Sequence, residues 1–421
     1  MGCIKSKPLE EPLLKKYKVE NKLLILEEDW TEFPKIDKEI KSVHFNNYFF
    51  QKNVKKELVI PNHIKYVKIS TSFINLKLPR DLQVLEFSDY SSLFIDPRDL
   101  PNSLKVLLMG DFYSDPLGCT NRFHSDDCNC KTRFPRNMKI FEFNQGGVYN
   151  NFVGRFPQST EEITFPKDFI LKSDSYDFDL PKNLSFFRIN NEIFKFKLPE
   201  SLETLILYNE ITQELKNLPK NLRILEIYDT YNYPIILPLN LEFFLIKTIK
   251  YPVFLPQTLK ALFLTESDIG ELPDFPENME QLIIQGRLYC DVKNLPRKLQ
   301  KLKLILTEYE FEVKNLPEKL EVLHINTDRF PKDNLPSKLK KLHLFGSCNL
   351  QLDNLPESLE RLSLGRFFNK KLDFLPKNLK ILLIENWEYK HDLLNVPAKM
   401  ELRVNKDYKG KIADDCKRID I

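Results

Sequence analysis

A proline that recurs at short, nearly constant intervals is the feature that most limits how this chain of 421 residues can fold. Apolar side chains stand three, six and eight residues after most of these prolines, as Leu202, Leu205 and Leu207 do after Pro199. Most intervals are 18–22 residues, and the marking prolines are Pro61, Pro79, Pro101, Pro135, Pro157, Pro181, Pro199, Pro219, Pro238, Pro256, Pro276, Pro296, Pro317, Pro336, Pro356, Pro376 and Pro397. Because proline breaks helices, this spacing excludes long helices and indicates an internal repeat.

The spacing within each repeat predicts one short β-strand. The apolar residues six and eight after the proline are two apart, the period at which a strand shows one face, and the residue at three turns inward where the strand begins. Several repeats place Asn-Leu before the proline, as in Asn294-Leu295-Pro296, which suits a tight bend and an extended return. One repeat is too small to fold alone, so copies must stack. We predict a repeat solenoid with one short parallel β-strand per 18–22-residue repeat and mostly non-helical return arms.

The repeat pattern also divides the chain into regions. We predict a basic membrane tether at 1–20, an N-terminal cap with a degenerate first repeat at 21–60, regular repeats at 61–396 and a C-terminal cap at 397–421. The degenerate repeat is Ile40, Val43 and Phe45, which keeps the apolar spacing without its proline. A long interval between Pro101 and Pro135 places an insertion at 110–134.

The repeat consensus resembles leucine-rich repeats of the short, proline-bearing kind. A steady asparagine after the last strand leucine is missing, so the asparagine ladder of the common form is not expected. A closer resemblance is to the FNIP-repeat family, which is carried best by the segment from Gly365 through Phe368 and Asn369 to Leu372. The resemblance implies a leucine-rich-repeat-like solenoid that binds protein. Some members of that family carry an F-box, and we find none in this sequence.

The first seven residues fit a lipidation pattern. Met1-Gly2-Cys3-Ile4-Lys5-Ser6-Lys7 matches the N-myristoylation motif, and it resembles the start of Src-family kinases, although no kinase motif follows. We predict a myristoyl group on Gly2 and a palmitoyl group on Cys3, since one acyl chain alone binds a membrane only marginally. Nearby lysines would add attraction to an anionic surface: Lys5, Lys7, Lys15, Lys16 and Lys18. The expected location is the cytosolic face of a membrane, with the plasma membrane as first choice.

The cysteines do not form a disulfide framework. They number seven, show no paired spacing and follow no signal peptide, which indicates a reducing environment. Four of the possible metal ligands fall in the insertion: Cys119, His124, Cys128 and Cys130. Their spacing matches no established zinc finger, so a zinc site stays a weak alternative to a polar loop with reduced thiols. We predict no cofactor.

The strand face that points away from the core is the expected binding surface. It is formed by the fifth, seventh and ninth residues after each proline. Its middle repeats are apolar at Phe186, Ile206, Ile224, Phe243, Leu245, Phe263 and Ile283, and an exposed apolar patch of this extent is typical of an interaction site. Later repeats place a basic ladder on the same face at Lys301, Lys303, His324, Lys341, His343 and Arg361. The ladder suits an acidic peptide, a phosphorylated partner or an anionic headgroup, or it is an ordinary solvated face.

Composition and motifs exclude several functions. The chain has only 11 glycines and no glycine-rich phosphate loop, no run of apolar residues long enough for a transmembrane helix, and no hydrolase or metalloprotease motif. With a net charge of +3 and no aromatic residues interleaved in the ladder, nucleic acid is a less suitable partner than protein. We predict a non-enzymatic, membrane-anchored scaffold. A substrate-recognition subunit of a ubiquitin ligase is the alternative by family analogy, followed by a regulatory enzyme.

Overall fold

The computed structural model describes residues 23–26, 37–46, 57–71, 76–88, 99–110, 132–143, 154–169, 179–190, 193–194, 196–247, 249–327 and 329–421. The chain divides into two compact units, Met1–Glu210 and Ile211–Ile421. Each unit is a parallel β-solenoid in which every repeat adds one strand beside the strand of the preceding repeat. Among the described residues, no helix combines the length and the apolarity needed to cross a membrane.

The first unit has nine described strands in its main sheet. They pair in chain order, all in parallel: β1 (Leu23–Leu26), β2 (Ser42–Phe45), β4 (Tyr66–Ile69), β6 (Val84–Phe87), β7 (Val106–Met109), β9 (Ile140–Phe143), β11 (Glu162–Thr164), β12 (Phe186–Ile189) and β13 (Thr204–Leu207). Two short pairs lie in the return arms: β3 (Leu58–Val59) with β5 (Leu76–Lys77), and β8 (Thr132–Arg133) with β10 (Gly154–Arg155).

The second unit continues the same plan without return-arm strands in its described part. Its parallel strands pair in chain order: β14 (Ile224–Ile227), β15 (Phe243–Ile246), β16 (Ala261–Ile269), β17 (Gln281–Leu288), β18 (Lys301–Thr307), β19 (Val322–Ile325), β20 (Lys341–Leu344), β21 (Arg361–Leu364), β22 (Ile381–Ile384), β23 (Glu401–Val404) and β24 (Lys417–Asp420). Three of them are longer than the short strand that the repeat predicts: β16, β17 and β18 have 9, 8 and 7 residues.

The predicted core positions are confirmed. Leu202, Leu205 and Leu207, which stand three, six and eight residues after their proline, are all fully buried. The backbone explains why the third position turns inward, since the Leu202 N–H donates to the Pro199 carbonyl at 3.1 Å and closes a turn before the strand. The same bond closes the turn at Pro356, where Leu359 N lies 3.0 Å from the carbonyl oxygen. Each repeat therefore buries its leucines against those of its neighbours.

The tight bend before the proline is also confirmed. Asn217, Asn294 and Asn315 adopt left-handed backbone conformations, with φ of 56°, 52° and 54°. Asparagine is among the few residues other than glycine that accept this region at low cost. In these three repeats the left-handed asparagine therefore bends the chain just before the proline.

Tyrosine hydroxyls form hydrogen bonds with several backbone groups of the return arms in the second unit. The Tyr231 hydroxyl accepts a hydrogen bond from Leu215 N and donates one to the Pro234 carbonyl, each at 3.0 Å. Tyr309 accepts from Val292 N at 3.3 Å, and Tyr408 donates to the His391 carbonyl at 2.6 Å. Because buried backbone groups need partners, the bonds of Tyr309 and Tyr408 help to link consecutive repeats, as do asparagine side chains such as Asn326 and Asn386, which donate to backbone carbonyls of the preceding repeat.

We expect this arrangement to lose stability in alkaline solution. Burial raises the pKa of the Tyr408 hydroxyl to about 12, and burial also raises the pKa of Tyr231 and Tyr309. These pKa values lie above that of tyrosine in an unfolded chain, which is about 10. The contribution of the three hydroxyls to the free energy of unfolding is therefore complete below pH ~10 and is lost as the pH rises through the pKa values of the folded protein. Urea titrations across this interval measure the loss.

The matched variant for that experiment is Tyr408→Phe. It removes one ionising hydroxyl, so its free energy of unfolding should fall less steeply with alkaline pH than that of the parent, although it starts lower. An equal slope in both proteins would show that Tyr408 does not contribute to the alkaline loss.

Candidate protein-binding face

The fifth and seventh residues after each proline lie on the strand face opposite the leucine core. Parallel pairing in register places the seventh residues of successive repeats side by side: Leu245 next to Phe263, Phe263 next to Ile283, and Ile283 next to Lys303. Neighbouring strands lie about 4.8 Å apart, so side chains of one row touch across the strands. The sequence-predicted residues of the second unit therefore form one continuous surface.

The apolar part of this surface is more buried than the sequence predicts. We call Phe243, Leu245, Ala261, Phe263 and Ile283, together with the adjoining Ile224, the apolar cluster. Its five central side chains are only 2–8% exposed, and the rings of Phe243 and Phe263 lie edge to face with centroids 4.8 Å apart. The prediction that these side chains stand open to solvent is wrong, because neighbours on adjacent strands cover one another.

The same correction applies in the first unit. Ile206 is 5% exposed, and Phe186 is half-buried. A second group of apolar side chains, which the sequence analysis did not single out, lies on this face at Val84, Val106 and Ile140, with Tyr66 and Leu108 packed against it. Reading the fifth and seventh positions of the earliest repeats would have revealed it.

Charged groups on this face of the first unit are paired or stacked. Lys68 Nζ lies 2.8 Å from Glu86 Oε1, and the Glu86 carboxylate also accepts a hydrogen bond from the Tyr66 hydroxyl. The Arg188 guanidinium lies over the Phe186 ring at 5.6 Å. Burial raises the pKa of Glu142, and the positive charge of Arg188 opposes that rise. This part of the face is internally balanced.

The basic ladder of the second unit is not balanced in this way. Register places Lys303 next to His324 and His324 next to His343, while Lys341 lies next to Arg361. Lys341 is exposed and the others are half-buried. In the described part of the chain, none of the lysines and arginine of the ladder has a carboxylate at ion-pair distance.

The charged residues at the fourth position after each proline, one residue before the first ladder position, differ from the ladder because they form ion pairs. At this fourth position Glu242 accepts from Arg223 at 2.8 Å and from Lys260 at 2.7 Å, which lowers the pKa of the Glu242 carboxyl. Lys340 pairs with Glu321 at 3.0 Å, and Lys380 pairs with Glu360 at 3.1 Å. The cations of these fourth-position pairs are therefore neutralised within the protein, whereas the lysines and the arginine of the ladder have no such pair among the described residues.

Proximity and burial perturb the ladder's titrations. Burial, together with the positive charge of His343 and Lys303, lowers the pKa of His324 to about 4. Burial lowers the pKa of His343 as well, with Glu385 acting in the opposite direction. The pKa of Lys303 is lowered by burial and by Lys301. Such mutual repulsion is relieved when an anion binds.

Two groups of predicted site residues lie outside the described residues. They are the lipidation and tether residues, Gly2, Cys3, Lys5, Lys7, Lys15, Lys16 and Lys18, and the possible zinc ligands, Cys119, His124, Cys128 and Cys130. Within the described ranges, no cluster of three or more His, Cys, Asp or Glu side chains is arranged to hold a metal ion. These predictions therefore remain sequence-based.

Comparisons with known proteins identify the fold. No family model matches the sequence, and no curated protein matches it. The solved structure of CroV588, described as a novel circular LRR protein, is 20% identical, with 94% of this chain and 73% of that chain covered and a TM-score of 0.59. YopM from Yersinia enterocolitica WA-314 is 18% identical, with 87% of this chain and 89% of that chain covered and a TM-score of 0.45. The structure of TLR13 in complex with ssRNA13 is 14% identical to this chain, with 94% of this chain and 73% of that chain covered and a TM-score of 0.49. The similarity to CroV588, with the parallel solenoid described above, shows that this chain has the leucine-rich-repeat fold.

Proposed function

We propose that this protein is a membrane-anchored interaction scaffold whose second unit binds a protein partner through its strand face. The leucine-rich-repeat fold is consistent with a scaffold, since it presents a regular row of side chains along a sheet. The observation that carries the proposal is that the ladder's lysines and arginine have no ion pair among the described residues, whereas the charges of the neighbouring fourth-position row are paired. Unbalanced charge on one part of a surface favours a complementary, anionic partner.

The apolar cluster supports a protein as that partner. Ile283 lies next to Lys303 in the sheet, so apolar and basic groups meet along one boundary. A protein surface can present acidic and apolar side chains together at such a boundary. We place the contact at the ladder and at the adjoining edge of the cluster, because the centre of the cluster is already covered by its own members.

The proposed anchor rests on the N-terminal sequence. Myristate on Gly2 and palmitate on Cys3 supply the two signals that stable membrane attachment requires, and the lysines that follow add electrostatic attraction. The scaffold would then hold its partner at the cytosolic face of a membrane. No catalytic role is included in the proposal.

The resemblance to FNIP repeats has one structural support. A Cβ atom added at Gly365 would lie 2.7 Å from the Phe345 Cα atom, so the motif's glycine allows two strands' ends to approach closely. Phe368 and Leu372 of the same motif are buried. We propose that the chain is a divergent member of that family. The alternative role in a ubiquitin ligase rests on this resemblance alone.

Charge reversal in the ladder tests the proposed function. Lys303→Glu with Lys341→Glu should reduce proximity labelling of the main partner by the intact protein, because the complementary charge is lost. The same change should leave the free energy of unfolding within about 0.5 kcal/mol, as is usual for surface residues. Labelling is compared in cells, and binding to the recovered partner is then measured at two salt concentrations, since salt screens such contacts.

A matched control changes the same charge elsewhere. Lys293 and Lys314 are 71% and 70% exposed on return arms and pair with neighbouring acids, so Lys293→Glu with Lys314→Glu should keep the labelling pattern. If the ladder variant and the control label the same partners equally, the ladder is a solvated face and the proposed binding site is wrong. Recovery of a ubiquitin-ligase core with the parent would favour the alternative role.

A further inference from the structure

Two histidines form the centre of the basic ladder. His324 on β19 and His343 on β20 are paired in the sheet, and their ring centroids lie 5.2 Å apart with an interplanar angle of 68°. The Nε2 atom of His343 is buried and has no hydrogen-bond partner in the described part of the chain. Since buried polar atoms are nearly always bonded, this nitrogen is suited to a bond with a bound molecule.

The groups around this pair are almost all positive. Strand β18 contributes Lys301 and Lys303, β20 contributes Lys341 beside His343, and β21 contributes Arg361. The acidic side chain that acts on His343 is Glu385, immediately after β22. Phe345 packs against the His343 ring at 5.1 Å and limits access from that side. The pair is therefore half-buried on the strand face and is surrounded mostly by positive charge.

We propose that Lys303, His324 and His343 bind a phosphate monoester carried by the protein partner, and that this binding takes up protons. The inference rests on the proposed function, since it names the chemistry of the partner at the same face. A phosphate monoester concentrates nearly two negative charges on three acceptor oxygens, whereas an Asp or Glu side chain carries one. Donors on strands about 4.8 Å apart can bond to different oxygens of a single phosphate.

The half-buried position of the three proposed binding residues favours a phosphorylated protein over a lipid headgroup in a bilayer. The three proposed binding residues are half-buried, and Lys303 lies next to the buried Ile283 of the apolar cluster. A phosphorylated side chain extends from its backbone and can reach half-buried donors, while its neighbours reach the edge of the cluster. A flat bilayer would contact the exposed Lys341 first.

Proton uptake follows from the electrostatics around the two histidines. In the free protein both imidazoles are neutral near pH 7, since burial and the surrounding cations lower their pKa values, that of His324 to about 4. A bound dianion raises both pKa values by opposing those cations. The pKa of each imidazole is therefore higher in the complex than in the free protein. Protonation of the imidazole strengthens phosphate binding fully at a pH below the pKa of the free protein. This gain in affinity is lost as the pH rises through the pKa of the complex. Binding should therefore take up protons between the free and the bound pKa of each imidazole, and these two groups should add no pH dependence above their bound pKa values.

The test uses the full chain with histidine labelled at Cε1 for NMR. The probe is the tripeptide Ala-Ser-Ala, phosphorylated or unphosphorylated, at constant ionic strength. Two imidazole signals, assigned with His324→Asn and His343→Asn, should show pKa values raised by at least about one unit with the phosphorylated peptide only. The described histidines that lie away from the ladder, such as His63 and His391, serve as internal references.

A lysine variant tests the geometry of the site. Lys303→Gln should weaken binding of the phosphorylated peptide about tenfold or more, as loss of one member of a half-buried charge pair does, and should reduce the histidine shifts. Lys293→Gln, on an exposed return arm, should change neither. Circular dichroism melting checks that both variants are folded.

Several results would overturn the inference. It fails if the phosphorylated peptide leaves both ladder histidines unshifted, or if Lys303→Gln binds it as the parent does. It also fails if phosphatidylcholine vesicles containing a phosphoinositide bind through Lys303 while the peptide does not, since a bilayer is then the ligand. If the histidines do not shift but the charge-reversed ladder still loses its labelled partner, the proposed function survives and only phosphate recognition is wrong.

Discussion

Replacement of Leu302 by alanine is expected to lower the free energy of unfolding by about 2–5 kcal/mol, the range for truncating a leucine in a packed core. Leu302 is fully buried in β18 and is paired with Leu282 of β17 and Leu323 of β19, which are fully buried as well. Truncation would leave a cavity shared by three repeats. Because each repeat packs only on its neighbours, amide hydrogen exchange should also accelerate in β17 and β19.

The neighbouring residue is the control for this experiment. Lys303 follows Leu302 in the strand but points to the opposite face, so Lys303→Ala should change stability far less. Urea titration of the two variants gives the comparison. Equal stability of Leu302→Ala and the parent would mean that the inward face of the solenoid has been assigned wrongly.

Gly2→Ala is expected to move the protein entirely from membranes to the soluble fraction. Myristoylation requires an N-terminal glycine, and palmitoylation of Cys3 follows only once the first chain has brought the thiol to the membrane. Without either chain, five lysines in the first 18 residues cannot hold the protein stably, since each contributes only about 1 kcal/mol near an anionic surface. Fractionation of cells that express each form measures the change.

Cys3→Ser separates the two lipids. It keeps the myristoyl chain and should leave weak, exchangeable membrane association, because one such chain binds only marginally. If Gly2→Ala remains with membranes as fully as the parent, the anchor proposed from the sequence is wrong. Partner labelling by Gly2→Ala would then also be expected to match the parent.

Much of the fold was predictable because the repeat encodes it locally. Each position of the repeat favours one local conformation: the proline favours a turn, the leucine three residues later points inward, and leucines two apart indicate a strand. Because the pattern recurs along the chain, it can be recognised in the sequence. The buried Leu202, Leu205 and Leu207 follow directly from this spacing. The membership of the basic ladder was predictable for the same reason, since strand alternation places Lys301 and Lys303 together.

What the sequence could not show depends on contacts between repeats. The spacing marks Phe243 and Phe263 as outward-facing, but only the register of β15 and β16 shows that their rings cover each other. The tyrosine hydroxyl bonds were not predictable either. Tyr231, Tyr309 and Tyr408 stand at different distances from their prolines, so no fixed interval reveals them. The longer strands β16 to β18 likewise depend on pairing beyond the repeat's apolar positions.

The ion pairs of the fourth position have a consequence for how the chain assembles itself. Because all repeats have a similar leucine core, a repeat could pack during folding against one that is not its neighbour in the sequence. One repeat of the solenoid would then be skipped. From Glu321 to Lys380 the fourth-position charges alternate in sign, so each acid meets a base in the correct order. Skipping one repeat would instead bring Glu321 beside Glu360 and Lys340 beside Lys380. Each correct pair adds at most about 1 kcal/mol, but together they disfavour docking that skips one repeat in this part of the solenoid, an error that the leucine core alone does not prevent.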